Sequence, residues 1–284
     1  MWDALRGRVL WVDIRSGEVF SGELDTEGAI EIVDRLGFDG TVGAVAVAAN
    51  GDLLIVGAEG LLTYRSDGVI EVGPRILPAG SGRRLNDAKA DPAGRLFVGS
   101  LNIVQDDSTT ETLSLVARDG SVRVLDDDLT LSNGLGWTAD GSRMYSVDTL
   151  RRRVSVRDYD PKTGNSGMRS TFQTLDAGYP DGLAVDAEDH VWLAVWGLGE
   201  VHRYSPSGQL VAVIDVPAPH TSSVAFAGPL LDTLVITTAT QDLDDATLAR
   251  FPDSGRIFTA VPGPRGAPQP FWGGFTRPAS AIDS

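Results

Sequence analysis

"NGDLLIVG", residues 50–57, is a tight turn that runs straight into a short apolar strand, and the chain repeats it. The same pattern stands in "RGRVLWVDI" from Arg6, "AGRLFVG" from Ala93, "DGSRMYSVD" from Asp140, "EDHVWLAV" from Glu188 and "LDTLVITT" from Leu231. Measured from Gly7 through Gly51, Gly94, Gly141, Glu188 and Leu231, the steps are 44, 43, 47, 47 and 43 residues. Within each step further strands follow, such as "LLTYR", "LSLVAR", "VSVRDYD" and "VHRYS", then turns such as "SDG", "RDG" and "SPSG". Several strands per unit of about 45 residues is the pattern of propeller blades. Six units predict an all-β, six-bladed β-propeller occupying residues 1–284 as one domain.

Composition agrees. The 33 Gly and 15 Pro suit short strands joined by tight turns, and 42% hydrophobic residues supply a core. A net charge of −15 argues against nucleic acid or an anionic membrane as partner, because both require clustered Lys and Arg. With no cysteine, thiolate catalysis, thiolate zinc sites and disulfides are excluded. No apolar run has the length of a membrane span and the start lacks a signal-peptide layout, so a cytoplasmic location is expected. The acidic pieces at 125–129 and 241–245 fall between recognisable strands and read as solvated loops.

Ahead of the repeated turn, most units carry a different segment: "VGAVAV" from Val42, "LNDAKA" from Leu85, "SNGLGW" from Ser132, "PDGLAV" from Pro180 and "SSVAFA" from Ser222. These read as the innermost strands, whose starts converge at one mouth of a propeller. Asn86, Asn133 and Asp181 keep that beat, at separations of 47 and 48 residues. Amide and carboxylate oxygens are hard donors that suit Ca²⁺, Mg²⁺ or Mn²⁺, with Zn²⁺ an option. Glycine follows both Asn133 and Asp181, which allows unusual backbone angles or a close approach by another group. Arg84 and Asn86, two apart in extended chain, project to the same side.

In order, "WDALRGRVLWVDI", "RLNDAKADPAGRLFVG", "LSNGLGW", "YPDGLAVDAEDHVWLAVW" and "TSSVAFAG" resemble the motifs of the gluconolactonase, regucalcin and luciferin-regenerating-enzyme family, over essentially the whole chain. The resemblance implies a six-bladed propeller hydrolysing a sugar-acid lactone with one divalent metal ion, Ca²⁺ foremost. It assigns Asn133 and Asp181 as metal ligands and Arg84 and Asn86 as substrate-holding residues. Asp181 would also position or deprotonate the attacking water. The expected partner is a small-molecule sugar lactone, with the chain monomeric or weakly homo-oligomeric. The family's metal-binding Glu, normally just ahead of the tryptophan matching Trp2, has no counterpart after Met1, and the strand closing the last blade is expected to be missing with it. Two alternatives stand beside lactone hydrolysis: phosphoester or organophosphate hydrolysis on the same metal, and a propeller that binds metal or ligand without catalysis.

Other residues read differently. His190 in a turn and His202 inside a strand read as structural, whereas His220, ahead of "TSSVAF" near the expected mouth, is the most open of the three to a substrate contact. Ser132, Ser222 and Ser223 lie in no Gly-x-Ser-x-Gly elbow, so a serine nucleophile is not expected. Asp13 and Asp148 end apolar strands, where carboxylates accept backbone hydrogen bonds. The six tryptophans read as blade packing, with Trp196 the one least committed to the core.

Overall fold

A computed structural model describes residues 1–104 and 110–276. Among the described residues the chain builds six sheets in which strands consecutive in sequence are hydrogen-bonded neighbours, except that Ser170–Thr174 pairs with Arg153–Asp160. Each repeated turn-and-strand motif supplies the second strand of one sheet: Arg8–Asp13, Leu53–Val56, Leu96–Asn102, Arg143–Asp148, Val191–Trp196 and Thr233–Thr238. The segments read as innermost strands are the first strands of sheets two to six: Ala44–Val47, Arg83–Ala90, Ser132–Trp137, Tyr179–Val185 and Thr221–Ala227. The fold is a six-bladed β-propeller, almost without helix. Among the described residues the sixth sheet has three strands, the fourth has five and the rest have four.

The turns explain the glycines. At the fourth position of the repeated turn the amide closes back on the residue three earlier, as Gly51 does on Ala48, Gly94 on Asp91 and Gly141 on Thr138. These glycines have φ of +88°, +81° and +71°, a region that costs other residues steric strain.

The chain groups into two compact units. One holds Met1–Leu10, Ser21–Asp34 and Asn133–Gln269, and so nearly all of sheets four to six. Two apolar clusters lie in its core. Tyr145, Val154, Leu183, Leu193 and Tyr204 form one, and Trp192, Ala194, Val224, Phe226 and Ile236 form the other. The aromatic rings meet edge to face, with Tyr145 on Phe172 at 4.9 Å and Trp192 on Phe226 at 5.8 Å between centroids. The other unit holds Trp11–Phe20, Arg35–Ser132 and the described residues from Pro270, including sheets two and three. Leu54, Ile55, Leu85, Leu96 and Phe97 are buried in it. The first sheet contributes residues to both units.

Of the two acidic pieces, one differs from expectation, and the other is a loop over 241–244 that leads into a short helix. Residues 125–129 are the end of the outermost strand of the third sheet, Val122–Leu129, and not a loop. Charges on an outer strand keep an unpaired edge from pairing with another chain. Within 241–245, Asp244 caps the helix Asp245–Arg250, its carboxylate accepting from the Thr247 amide at 2.8 Å. No helix among the described residues is long and apolar enough to cross a membrane.

Candidate metal and substrate site

Glycines after the polar residues serve close packing. Gly134 and Gly182 are absent from the positive-φ residues, so no left-handed backbone is involved. A Cβ on Gly134 would lie 2.5 Å from the Asp181 carbonyl oxygen and 2.8 Å from the Leu183 nitrogen. One on Gly182 would meet Ser223 Oγ and, at 2.8 Å, its Cα. Bare backbone at Gly134 lets the strand carrying Asn133 press against the strand carrying Asp181, which brings the two residues together within one unit. Gly134→Ala is accordingly expected to cost about 1–3 kcal/mol, because backbone atoms cannot swing aside as a side chain can. Urea unfolding of the two proteins measures it, and an unchanged midpoint would contradict the close approach.

Asn133 is 9% exposed and Asp181 half-buried. The Asn133 Nδ2 donates to Thr149 Oγ1 at 2.9 Å, and Thr149 Oγ1 donates to the Pro180 carbonyl at 2.9 Å. Committing Nδ2 to Thr149 turns the Asn133 Oδ1 to the opposite side. With the Asp181 carboxylate, it gives two hard-oxygen donors on touching strands, a donor set that fits a divalent cation.

In the other unit, Arg84 Nη1 donates to Asn86 Oδ1 at 2.9 Å and to the Leu85 carbonyl at 3.0 Å, so the same-side projection holds. The Asn86 Nδ2 donates to the Ser132 carbonyl at 3.0 Å, which fixes the amide. Arg83, the neighbour of Arg84, does something else. Its Nε sits 3.1 Å from each oxygen of Glu111, which is fully buried, and its Nη2 donates to Ser100 Oγ at 2.9 Å. Glu111 also accepts from Ser100 Oγ at 2.6 Å. Sequence reasoning passed over Glu111 and Thr149, since neither stands in the repeating phase; the only signal was Thr149 following Asp148 at a strand end. Beyond Asn86 on the same strand, burial pushes the Asp87 carboxyl up and the Lys89 ammonium down from their usual values, each partner's charge opposing the shift.

The histidines separate by their partners. His202 lies between Tyr204 Oη at 2.9 Å and Glu200 Oε2 at 2.7 Å, a buried bracing role within its sheet. His190 contacts the Glu188 carbonyl at 3.0 Å. His220 stacks on Trp196, centroids 4.0 Å apart at 16°, so the least committed tryptophan is taken up by this pair. Burial holds the His220 imidazole below its ordinary value, although Gln241 and Asp242 oppose the shift. As pH falls, the unfolded chain therefore takes up this proton before the folded one, and stability declines with acidification. Between about pH 7.5 and about pH 5.5, His220→Phe, which keeps a ring on Trp196, should lose less melting temperature than the parent. Equal losses would mean His220 does not contribute.

Asp13 accepts from the Ser16 amide at 3.2 Å, and Asp148, 2% exposed, has Arg151 Nε at 3.7 Å. Ser222 Oγ pairs with Thr237 Oγ1 at 2.8 Å, and Ser132 is fully buried.

A second cluster has the composition of a metal site. Asp186, Glu188 and His190 place ligand atoms within 4.8 Å of one another. Asp186, however, is fully engaged. Its Oδ1 accepts from the Glu188 and His190 amides at 2.9 Å, and its Oδ2 accepts from Trp192 Nε1 at 2.9 Å and from Arg203 Nε and Nη2 at 2.9 and 2.7 Å. Arg203 Nη2 also reaches Glu188 Oε2 at 2.7 Å. A guanidinium already occupies the place a cation would take. Asp91 builds the same turn in the third sheet, accepting from the Ala93 and Arg95 amides and from Arg95 Nε. The cluster is turn architecture.

Comparison with known proteins identifies relatives of the whole chain. A pentonolactonase of Haloferax volcanii is 34% identical over 246 residues, covering 86% of this chain and 81% of the relative. Regucalcin of Xenopus laevis is 31% identical over 266 residues, covering 91% and 88%. Among solved structures, a calcium-binding regucalcin from Agrobacterium tumefaciens superposes with a TM-score of 0.89 at 28% identity, covering 96% of this chain and 92% of that one. A luciferin-regenerating enzyme gives 0.85 at 27% identity, covering 94% and 92%. The family model described as SMP-30/Gluconolactonase/LRE-like region matches residues 1–240, and the chain belongs to that family.

Proposed function

We propose that this protein is a divalent-metal-dependent lactonase that opens a sugar-acid lactone to its hydroxy acid, the whole chain acting as one domain. The observation that carries the reading is the pairing of Asn133 and Asp181 across the bare backbone of Gly134, with Asn133 Nδ2 already committed to Thr149. The pentonolactonase relative points to the substrate class, and the regucalcins, one of them described as calcium-binding, point to Ca²⁺ first.

Asn133 Oδ1 and Asp181 would hold the cation. When bound, it supplies positive charge for the oxyanion that develops on the lactone carbonyl. The Asp181 carboxylate accepts a proton as the water oxygen bonds to the carbonyl carbon. The ring carbon–oxygen bond then breaks, and that proton passes to the departing oxygen, leaving a hydroxyl and a carboxylic acid. For Arg84 and Asn86 we propose hydrogen bonds to the sugar hydroxyls, a role resting on the family resemblance. An uncharged lactone needs no basic pocket, so the acidic composition is compatible.

Initial rates on gluconolactone, a pentonolactone and a phosphotriester test the substrate class. Lactone turnover should exceed phosphotriester turnover by at least about a hundredfold, roughly 2.7 kcal/mol in transition-state stabilisation. A preference for the phosphotriester would favour phosphoester hydrolysis. Turnover of none of the three would favour a binding role.

A further inference from the structure

From the geometry around Thr149 we infer that this residue is the positioning residue of the metal site, one hydroxyl fixing both proposed ligands at once. The inference rests on the metal-site reading above and adds a residue that neither the repeat nor the resemblance marks.

Hydrogen-bond polarity carries the argument. A threonine hydroxyl has one proton and two lone pairs. The Pro180 carbonyl can only accept, so the proton of Thr149 goes to it, at 2.9 Å. The Thr149 oxygen is then an acceptor toward Asn133, 2.9 Å away, and only the NH₂ end of that side chain can donate. The orientation of the Asn133 amide is thereby set, with Oδ1 pointing away from Thr149. Pro180 immediately precedes Asp181, and proline has no N–H, so its carbonyl is its one backbone hydrogen-bonding group. Thr149 holds that carbonyl, and with it the backbone from which Asp181 departs.

Thr149 is 8% exposed and Asn133 9%, while Pro180 is buried, so water does not readily replace these bonds. The hydroxyl sits just past the end of the strand Arg143–Asp148, which places it beside the starts of the strands Ser132–Trp137 and Tyr179–Val185. Residues that orient metal ligands in this way typically change metal affinity by about ten- to a hundredfold when removed. Thr149 touches no reacting atom in this arrangement, so its effect passes through Asn133 and Asp181.

Calorimetric titration of the metal-stripped full chain with Ca²⁺, and with Mn²⁺ in parallel, tests this. Thr149→Val keeps the shape and removes the hydroxyl; it should weaken binding about ten- to a hundredfold. Thr149→Ser restores the hydroxyl and should return affinity to within about threefold of the parent. Thr149→Ala removes the hydroxyl without adding bulk and serves if the valine variant does not fold. Equal affinity in the parent and the hydroxyl-less variants overturns the positioning role while leaving the metal site in place. A serine variant as weak as the valine variant also overturns it, since the defect would then be one of packing. A parent that binds neither ion overturns the metal-site reading and this inference together.

Discussion

Asp181→Ala is expected to lower lactone hydrolysis by at least about a thousandfold while changing stability by less than about 1 kcal/mol. Two losses combine: the proton acceptor disappears, and so does the only carboxylate of the proposed metal pair. The fold should survive, because Asp181 is half-buried at the start of its strand, outside the apolar clusters of its unit. Asp181→Asn separates the two roles. It retains an oxygen for the cation but cannot take a proton, so metal binding should weaken modestly while turnover still falls by about 10²–10⁴-fold. Initial rates at saturating metal, with calorimetry alongside, measure both. Near-parental turnover in either variant would remove Asp181 from the chemistry.

Asp186→Ala should have the opposite profile, a large loss of stability with metal affinity intact. Removing this carboxylate leaves Arg203, Trp192 Nε1 and two turn amides without their shared acceptor inside the unit. Breaking a buried pair on one side costs about 3–5 kcal/mol, and only the exposed Glu188 would remain to oppose the Arg203 charge. For a chain of this size that corresponds to a melting temperature lower by roughly 10 °C. Thermal melts and Ca²⁺ titration of the variant decide between the two readings of the Asp186, Glu188 and His190 cluster. Lost metal binding with an unchanged melt would make it the metal centre instead.

The blades were legible because their second strands share one apolar pattern behind one turn. What blurred the pattern was the residue in the left-handed turn position. Gly51, Gly94 and Gly141 mark it plainly, whereas in the last two sheets Asp189 and Leu231 take it, with φ of +61° and +51°. The repeat is then carried by strand spacing alone, which puts the fifth mark on Glu188, one residue early. The outer strand that carries Asp126, Asp127 and Asp128 reads as loop because most of its side chains are exposed and no apolar alternation remains to be seen.

Within the candidate site, the phase of Asn133 and Asp181 marked two residues on strands that approach through Gly134, and the two-residue spacing of Arg84 and Asn86 marked a hydrogen-bonded pair. The tandem of Arg83 and Arg84 was only half readable. Alternation sends adjacent side chains to opposite sides, but the buried acceptor of Arg83 is Glu111, two strands further along the chain. Thr149 was not legible, since a single hydroxyl acquires its role from two partners on strands distant in sequence.

The most direct measurement is gluconolactone hydrolysis by the metal-stripped protein before and after refilling with single divalent ions, in the parent and in an Asn133→Ala, Asp181→Ala double variant. The stripped parent should run at the uncatalysed rate and recover with one equivalent of Ca²⁺ or another hard cation, and the double variant should stay silent at every metal concentration. Full hydrolysis by the stripped parent, or recovery of the double variant with metal, would contradict a metal-dependent lactonase built on these two residues.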